Sequence, residues 1–322
     1  MSVGEVEVSF RVERPGGGLE VHDLTGHRGP GFAGFAGSAG EARPLVIAAH
    51  GITANALSWQ PVADELSRRL GAGSVRFVAP DLRGRAGSRD VQGPWGLGEH
   101  VDDLLAVADE LGGERVVLLG HSMGAFIAAL AAARHPGRVC AAVLVDGGLA
   151  FATPVGLDID TALHAVIGPA MARLSMRFAD AEAYLDFWRE HPALRSVFAS
   201  SDGDALRAYL LHDLVRDGAE WVSSCVPEAV RVDGAGVLAD PEVHRAVRSA
   251  VEAGVPVEHL WASRGMFDEP QGLYDEARLA ALQVPPAVRV TAVPDVNHYT
   301  VILGASGVQR VADAVERGLV TG

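Results

Sequence analysis

The chain contains no lysine; all 27 of its Lys/Arg positions are arginine. That absence excludes Schiff-base chemistry, a serine–lysine dyad and a phosphate-binding loop built around lysine. Cysteine is nearly as scarce. Cys140 and Cys225 stand far apart and form no C-x-x-C, and no His/Cys group has zinc-finger spacing, so two reduced, mostly buried thiols are expected. No apolar run is long enough to span a membrane, and the acidic, alternating start MSVGEVEVSFRVERPGG is unlike a secretory signal; a cytoplasmic protein is expected. A formal net charge of −14 argues against nucleic acid or an anionic membrane as partner.

What is present is the composition of a soluble globular chain: 322 residues, 48% hydrophobic and 21% charged. Val3 to Val12 alternates apolar and polar residues, and LEVHDLT repeats the habit after RPGGG, which reads as an antiparallel hairpin. The glycine-rich stretch 26–40 reads as a surface loop. Then PLVIAAH, VRFVAPD, RVVLLGHS and AAVLVDGG hold apolar residues without alternation, the pattern of strands buried on both faces. Amphipathic segments such as QPVADELSRRL and GEHVDDLLAVADELG lie between them. Strand and helix in alternation predict an α/β fold with a mostly parallel, doubly wound sheet. From residue 149 to about 255 the reading is helical, including DALRAYLLHDLVRDG as one helix, and then PVEHLWAS and AVRVTAVPD resume the strand pattern. Such a block is expected to cap the carboxyl ends of the strands. The expected organisation is a core domain in two parts, 1–148 and 256–322, with a helical cap, 149–255, inserted between them.

The segment LLGHSMGAF, residues 118–126, decides the chemistry to look for. Ser122 ends a buried strand and precedes a strong helix former, so it sits on a sharp strand-to-helix turn. Gly120 and Gly124 leave room where side chains would collide, and the helix N-terminus supplies free N–H groups. With AAHGITANALSW, APDLRGRAGS, AVLVDGG and DVNHYTVILG, the sequence resembles the α/β-hydrolase fold serine hydrolases of the carboxylesterase or lipase-like kind. The resemblance covers most of the chain outside the cap.

A serine hydroxyl attacks only when a base takes its proton, and imidazole suits that role near neutral pH. His298, after the last buried strand, is the expected base; it is also where the resembled family keeps its histidine. His121 is expected to point away from the serine. The oxyanion needs backbone donors: the N–H of Met123, directly after the nucleophile, and, as the resemblance implies, that of Ile52. The orienting acid is expected to be Asp268, after the strand that follows the cap. Asp146, at the end of AAVLV, is the alternative, and Glu269 is a third candidate. His50, Gly51, Trp59, Met171 and Met176 are candidate pocket residues, although His50 reads as a structural hydrogen-bonder and Trp59 as packing. In the cap, Leu163, Val166, Ile167 and Leu174 share the helical spacing of the two methionines. Arg83 and Arg85 are expected on a solvated loop with local ion pairs.

The implied activity needs no cofactor or metal. Ser122 would cleave carboxylic esters or lactones of a moderately sized, largely apolar small molecule through an acyl-enzyme. Carbon–carbon bond hydrolases, thioesterases and perhydrolases use the same residues, and a ligand-binding protein that lost turnover belongs to a different class. The sequence leaves the oligomeric state open.

Overall fold

The apolar runs do form one sheet of eight strands. The first half of the chain runs β1 (Val8–Arg14), β2 (Gly17–Asp23), β3 (Leu45–Ala49), α1 (Gln60–Leu70), β4 (Arg76–Pro80), α2 (Leu97–Glu110), β5 (Val116–His121), α3 (Met123–Arg134) and β6 (Val139–Val145). Next come α4 (Ile159–Leu174), α5 (Ala181–Arg189), α6 (Arg195–Phe198), α7 (Gly203–His212), β7 (Leu214–Asp217), β8 (Glu220–Ser223), α8 (Pro227–Ala239) and α9 (Pro241–Glu252). The order finishes with β9 (Val257–Ala262), α10 (Glu276–Ala281), β10 (Arg289–Val293), α11 (Thr300–Leu303) and α12 (Ala305–Val320). The structure is a computed structural model that describes residues 8–25, 43–150, 158–200 and 203–320. The expected hairpin start at Val3 and the glycine-rich stretch 26–40 lie outside the described residues.

The spatial order is β1-β2-β4-β3-β5-β6-β9-β10. The hairpin β1–β2 is antiparallel and joins β4 antiparallel; from β4 to β10 every neighbouring pair is parallel. The reason for the unbroken apolar runs is visible in β3. Val46 and Ala48 belong to one apolar cluster with Val62 of α1 and Val311 of α12. Leu45, Ile47 and Ala49 belong to another with Leu104 of α2 and Ile127 of α3. Both faces are covered, so neither can be polar. β10 departs from that rule. It is the sheet's edge, and Val290 on it is 39% exposed.

The block between β6 and β9 holds two surprises. The predicted helix DALRAYLLHDLVRDG stops at His212, and Leu214–Asp217 instead pairs with Glu220–Ser223 as a hairpin around Gly218–Ala219. Gly218 is the first central residue of that two-residue turn and takes the positive φ, 65°, that a Gly-X turn demands there. Second, α9 buries Val243, Ala246, Val247 and Ala250 in the cluster that contains α3, so this helix covers the sheet rather than its end. From this block, residues of α4, α5, α7 and α8 line the cavity that also takes in Ser122.

Candidate active site

β5 delivers Ser122 to the carboxyl edge of the sheet and α3 starts at the next residue. The serine has φ 54° and ψ −120°, a strained conformation for a side-chain-bearing residue. Two close approaches hold the turn. A Cβ on Gly120 would lie 2.1 Å from the carbonyl oxygen of Gly124, and one on Gly124 would lie 2.0 Å from that of Ala49. Only glycine fits either position. Met123 is the first residue of α3, so its N–H has no carbonyl one turn earlier within the helix.

His298 lies on the turn between β10 and α11 and is buried. Asn297 fixes that turn: its Oδ1 accepts the N–H groups of Tyr299 (3.0 Å) and Thr300 (2.9 Å), and its own N–H donates to Thr300 Oγ1 (2.8 Å). His121 also supports it. Its Nε2–H donates to the backbone oxygen of His298 at 2.8 Å, and the two rings lie 4.5 Å apart. Burial keeps the His121 imidazole neutral well below its ordinary range.

The carboxylate beside His298 is Asp146. Its Oδ2 is 2.7 Å from Nδ1 of His298, while its Oδ1 accepts the N–H of Ala262 at 3.0 Å. Asp146 is fully buried at the end of β6. Asp268, the expected partner, is elsewhere engaged. Arg264 holds it through two hydrogen bonds, of 2.7 and 3.2 Å, and depresses its pKa. Asp268 reaches the histidine turn only through Asn297 Nδ2, at 3.1 Å. The neighbouring Glu269 turns its carboxylate to the N–H of Phe267 (2.9 Å). β6 and β9 are sheet neighbours, and it is the residue after β6, Asp146, that meets His298, while Asp268 in the loop after β9 is taken by Arg264.

Opposite the serine, the peptide between Gly51 and Ile52 is clamped. Leu82 N–H donates to His50 Nε2 at 2.9 Å, which makes Nδ1 the protonated nitrogen, and Nδ1 donates to Gly51 O at 2.8 Å. Burial holds the His50 pKa down to about 3, so this tautomer stays neutral. Arg85 Nε donates to Ile52 O at 3.0 Å, and its Nη1 bonds Asp233 of α8 at 2.6 Å. Arg85 and Arg83 are thus fully buried rather than solvated; Arg83 is paired bidentately with Asp103, at 2.5 and 2.7 Å. Arg83 survives burial because each of its nitrogens meets an oxygen, whereas Arg85 is held through Nε and Nη1, and its Nη2 has no hydrogen-bond partner among the described residues.

Gly51, Ile52, Ser122, Met123, Asp146 and His298 line one cavity of about 1000 Å³, counting the space open to solvent. Its remaining wall is mostly apolar and aromatic, with Phe126, Leu163, Ile167, Trp188, Leu238 and Tyr299, alongside the polar Thr53, Ser58 and His121, and no arginine among the described lining residues. An outer cavity shares Ile167, Ala170, Trp188, Met266 and Tyr299 with it and continues to Met176 and Phe267, which are 37% and 39% exposed. Several pocket expectations change. Trp59 is wholly buried in the core and meets His121 edge to face, so it does not line the cavity. His50 is buried and does not line the cavity, and Met171 and Leu174 pack on the cluster around Leu163 and Cys225. The side chain of Val166 lies outside the described residues. Trp188, Tyr209 and Tyr299 were not anticipated; Tyr299 was signalled only by adjacency to His298.

Residues 44–165 match the family described as the alpha/beta hydrolase fold. The whole chain superposes on a solved E-2-(acetamidomethylene)succinate hydrolase with a TM-score of 0.69 and 22% identity, covering 98% of this chain and 100% of that one. The chain has the α/β-hydrolase fold. Lipase LipV of Mycobacterium tuberculosis is 36% identical over 114 residues, 35% of this chain and 40% of the relative. Epoxide hydrolase B of the same species is 28% identical over 254 residues, 75% of this chain and 60% of the relative. The matches therefore span about half the length of these curated relatives. No helix among the described residues is long and apolar enough to cross a membrane.

Proposed function

We propose that this α/β-hydrolase-fold protein is a serine hydrolase that cleaves carboxylic esters or lactones of moderate size and largely apolar character. The observation that carries the reading is Ser122, on its strained turn, sharing one apolar cavity with a His298 that Asp146 holds at 2.7 Å. Asp146 takes the orienting role in this reading, in place of Asp268. It keeps the proton of neutral His298 on Nδ1, which leaves Nε2 as the base. Ser122 Oγ attacks the carbonyl carbon as its proton passes to Nε2. The carbonyl oxygen becomes an oxyanion between the N–H groups of Ile52 and Met123. Collapse expels the alcohol, which takes the proton from His298; water then repeats the sequence on the acyl-enzyme and releases the acid.

Two observations narrow the substrate. A serine nucleophile, rather than aspartate, separates this chain from epoxide-opening members of the fold. The inner lining holds no arginine among the described residues and is mostly apolar, which favours an apolar acyl or alcohol group. The outer cavity, with Met176 and Phe267, supports an entry from that side. The test is a fluorophosphonate probe with mass spectrometry, alongside p-nitrophenyl esters of graded acyl length. The reading requires one label on Ser122 and turnover lost in parallel with labelling; an unlabelled Ser122 together with undiminished turnover would sink it.

A further inference from the structure

A second cluster of reactive side chains lies away from the Ser122 cavity. His22 of β2, Asp81 just after β4 and His212 at the end of α7 come together, although Asp81 is 59 residues from the first and 131 from the second. Their ligating atoms all lie within 4.8 Å of one another. Nε2 of His22 is 3.2 Å and Nε2 of His212 is 2.7 Å from the same oxygen, Asp81 Oδ2. The rings meet edge to face at 88°, so they approach that oxygen from different sides. None of the three residues lines the catalytic cavity.

We propose that His22, Asp81 and His212 form a binding site for a divalent transition-metal ion of the zinc type, tying the inserted block to the sheet domain. Two imidazole nitrogens and one carboxylate suit zinc and its neighbours, whereas magnesium and calcium prefer oxygen alone. The carboxylate is already oriented by backbone: Ala56 N–H donates to Oδ1 at 2.9 Å and Gly87 N–H to Oδ2 at 3.0 Å. Such a supporting shell is what metal ligands need. Without an ion, three donors converge on Oδ2 while Oδ1 receives one, a lopsided use of a carboxylate's lone pairs. A cation relieves this: each imidazole carries its proton on Nδ1 and offers Nε2 to the ion. With ligand distances of about 2.0–2.1 Å, tetrahedral donors sit roughly 3.3 Å apart, so His212 needs to withdraw by less than about 1 Å. His212 keeps 22% of its side chain exposed, which gives an ion its route and leaves a coordination position to water.

The experiment uses the full chain, stripped with EDTA and dialysed. Zn²⁺ is titrated against a chromophoric chelator, and Co²⁺ is added to a second sample to read its visible d–d absorption. The expected result is one Zn²⁺ per chain, a tetrahedral-type Co²⁺ spectrum and a higher melting temperature with Zn²⁺. His22→Gln and His212→Gln should each weaken Zn²⁺ binding by at least about a hundredfold and lose the Co²⁺ spectrum and the thermal shift. If His22→Gln, within the sheet, does not fold by circular dichroism, the more exposed His212→Gln decides alone. No saturable uptake by the parent chain overturns the site, and so does uptake that persists unchanged in folded His212→Gln.

Discussion

Exchanging a single oxygen for nitrogen at Asp146 is the sharpest perturbation this site offers. Asp146 accepts from both sides, from His298 Nδ1 at 2.7 Å and from Ala262 N–H at 3.0 Å. In Asp146→Asn one of those positions must present an NH₂ group. If the amide oxygen stays with Ala262, the NH₂ faces His298, forces its proton onto Nε2 and removes the base. If the oxygen turns to His298, the NH₂ meets the buried N–H of Ala262 and two donors oppose each other, at a cost of about 1–3 kcal/mol. The first arrangement is therefore preferred, and it is the inactive one. The expected fall in kcat is about 10⁴-fold, equivalent to about 5.4 kcal/mol of lost transition-state stabilisation. Asp268→Asn, by contrast, loosens a half-exposed contact with Arg264 and should leave kcat within about threefold. Both variants are assayed with a p-nitrophenyl ester, after circular dichroism confirms folding. A folded Asp146→Asn with near-parental kcat, or a collapse of turnover in Asp268→Asn alone, refutes the assignment.

Ser122→Ala should abolish ester turnover and fluorophosphonate labelling while its melting temperature stays close to the parent's, as read by calorimetry and mass spectrometry. Gly124→Ala drives a methyl to 2.0 Å from the Ala49 carbonyl oxygen, so a loss of about 1–3 kcal/mol or more is expected in urea unfolding. Burial lowers the pKa of His50 to about 3 and of His259 to about 4, against about 6.5 in the unfolded chain. The unfolded state thus binds protons first, and stability present above about pH 6.5 is lost as pH falls, by roughly 1.4 kcal/mol per pH unit for each group. Urea midpoints at pH 7, 6 and 5 should fall accordingly, and a folded His259→Gln should show a shallower slope. Trp188→Ala opens both cavities and should raise kcat/KM for bulky aromatic esters relative to acetate esters; an unchanged ratio places substrate elsewhere.

The sheet was readable because central parallel strands leave their mark at every position: Leu45 to Ala49 has no polar residue since each side chain enters one cluster or the other. Ser122 was readable because its turn demands glycine on both sides, and such steric needs appear directly in sequence. The carboxylate that meets His298 was less so. Asp146 and Asp268 both follow strands that lie side by side, and chain order does not say which loop turns inward. A hint existed: Arg264, four residues before Asp268, is a local partner that occupies it. The burial of Arg83 and Arg85 was hidden because their partners, Asp103 and Asp233, lie 20 and 148 residues away. Aromatic wall residues such as Trp188 and Tyr209 obey the same helical spacing as ordinary packing, so nothing local distinguished them.

The direct pairing of β6 with β9 bears on how the chain reaches this state. Val145 registers with Leu260, and the N–H of Asp146 bonds Leu260 O at 2.7 Å, although the whole inserted block separates them in sequence. Asp146 and His298 are 152 residues apart along the chain. Loop-closure entropy grows only logarithmically, so the separation costs little at equilibrium, but contacts of such range slow a folding reaction. The segments around β3, β4, β5 and α3 can associate while the histidine turn is still unplaced. On the proposed reading, a chain whose central strands met before the histidine turn was placed would hold Ser122 without His298, and it would gain turnover only when β9 and β10 complete the sheet.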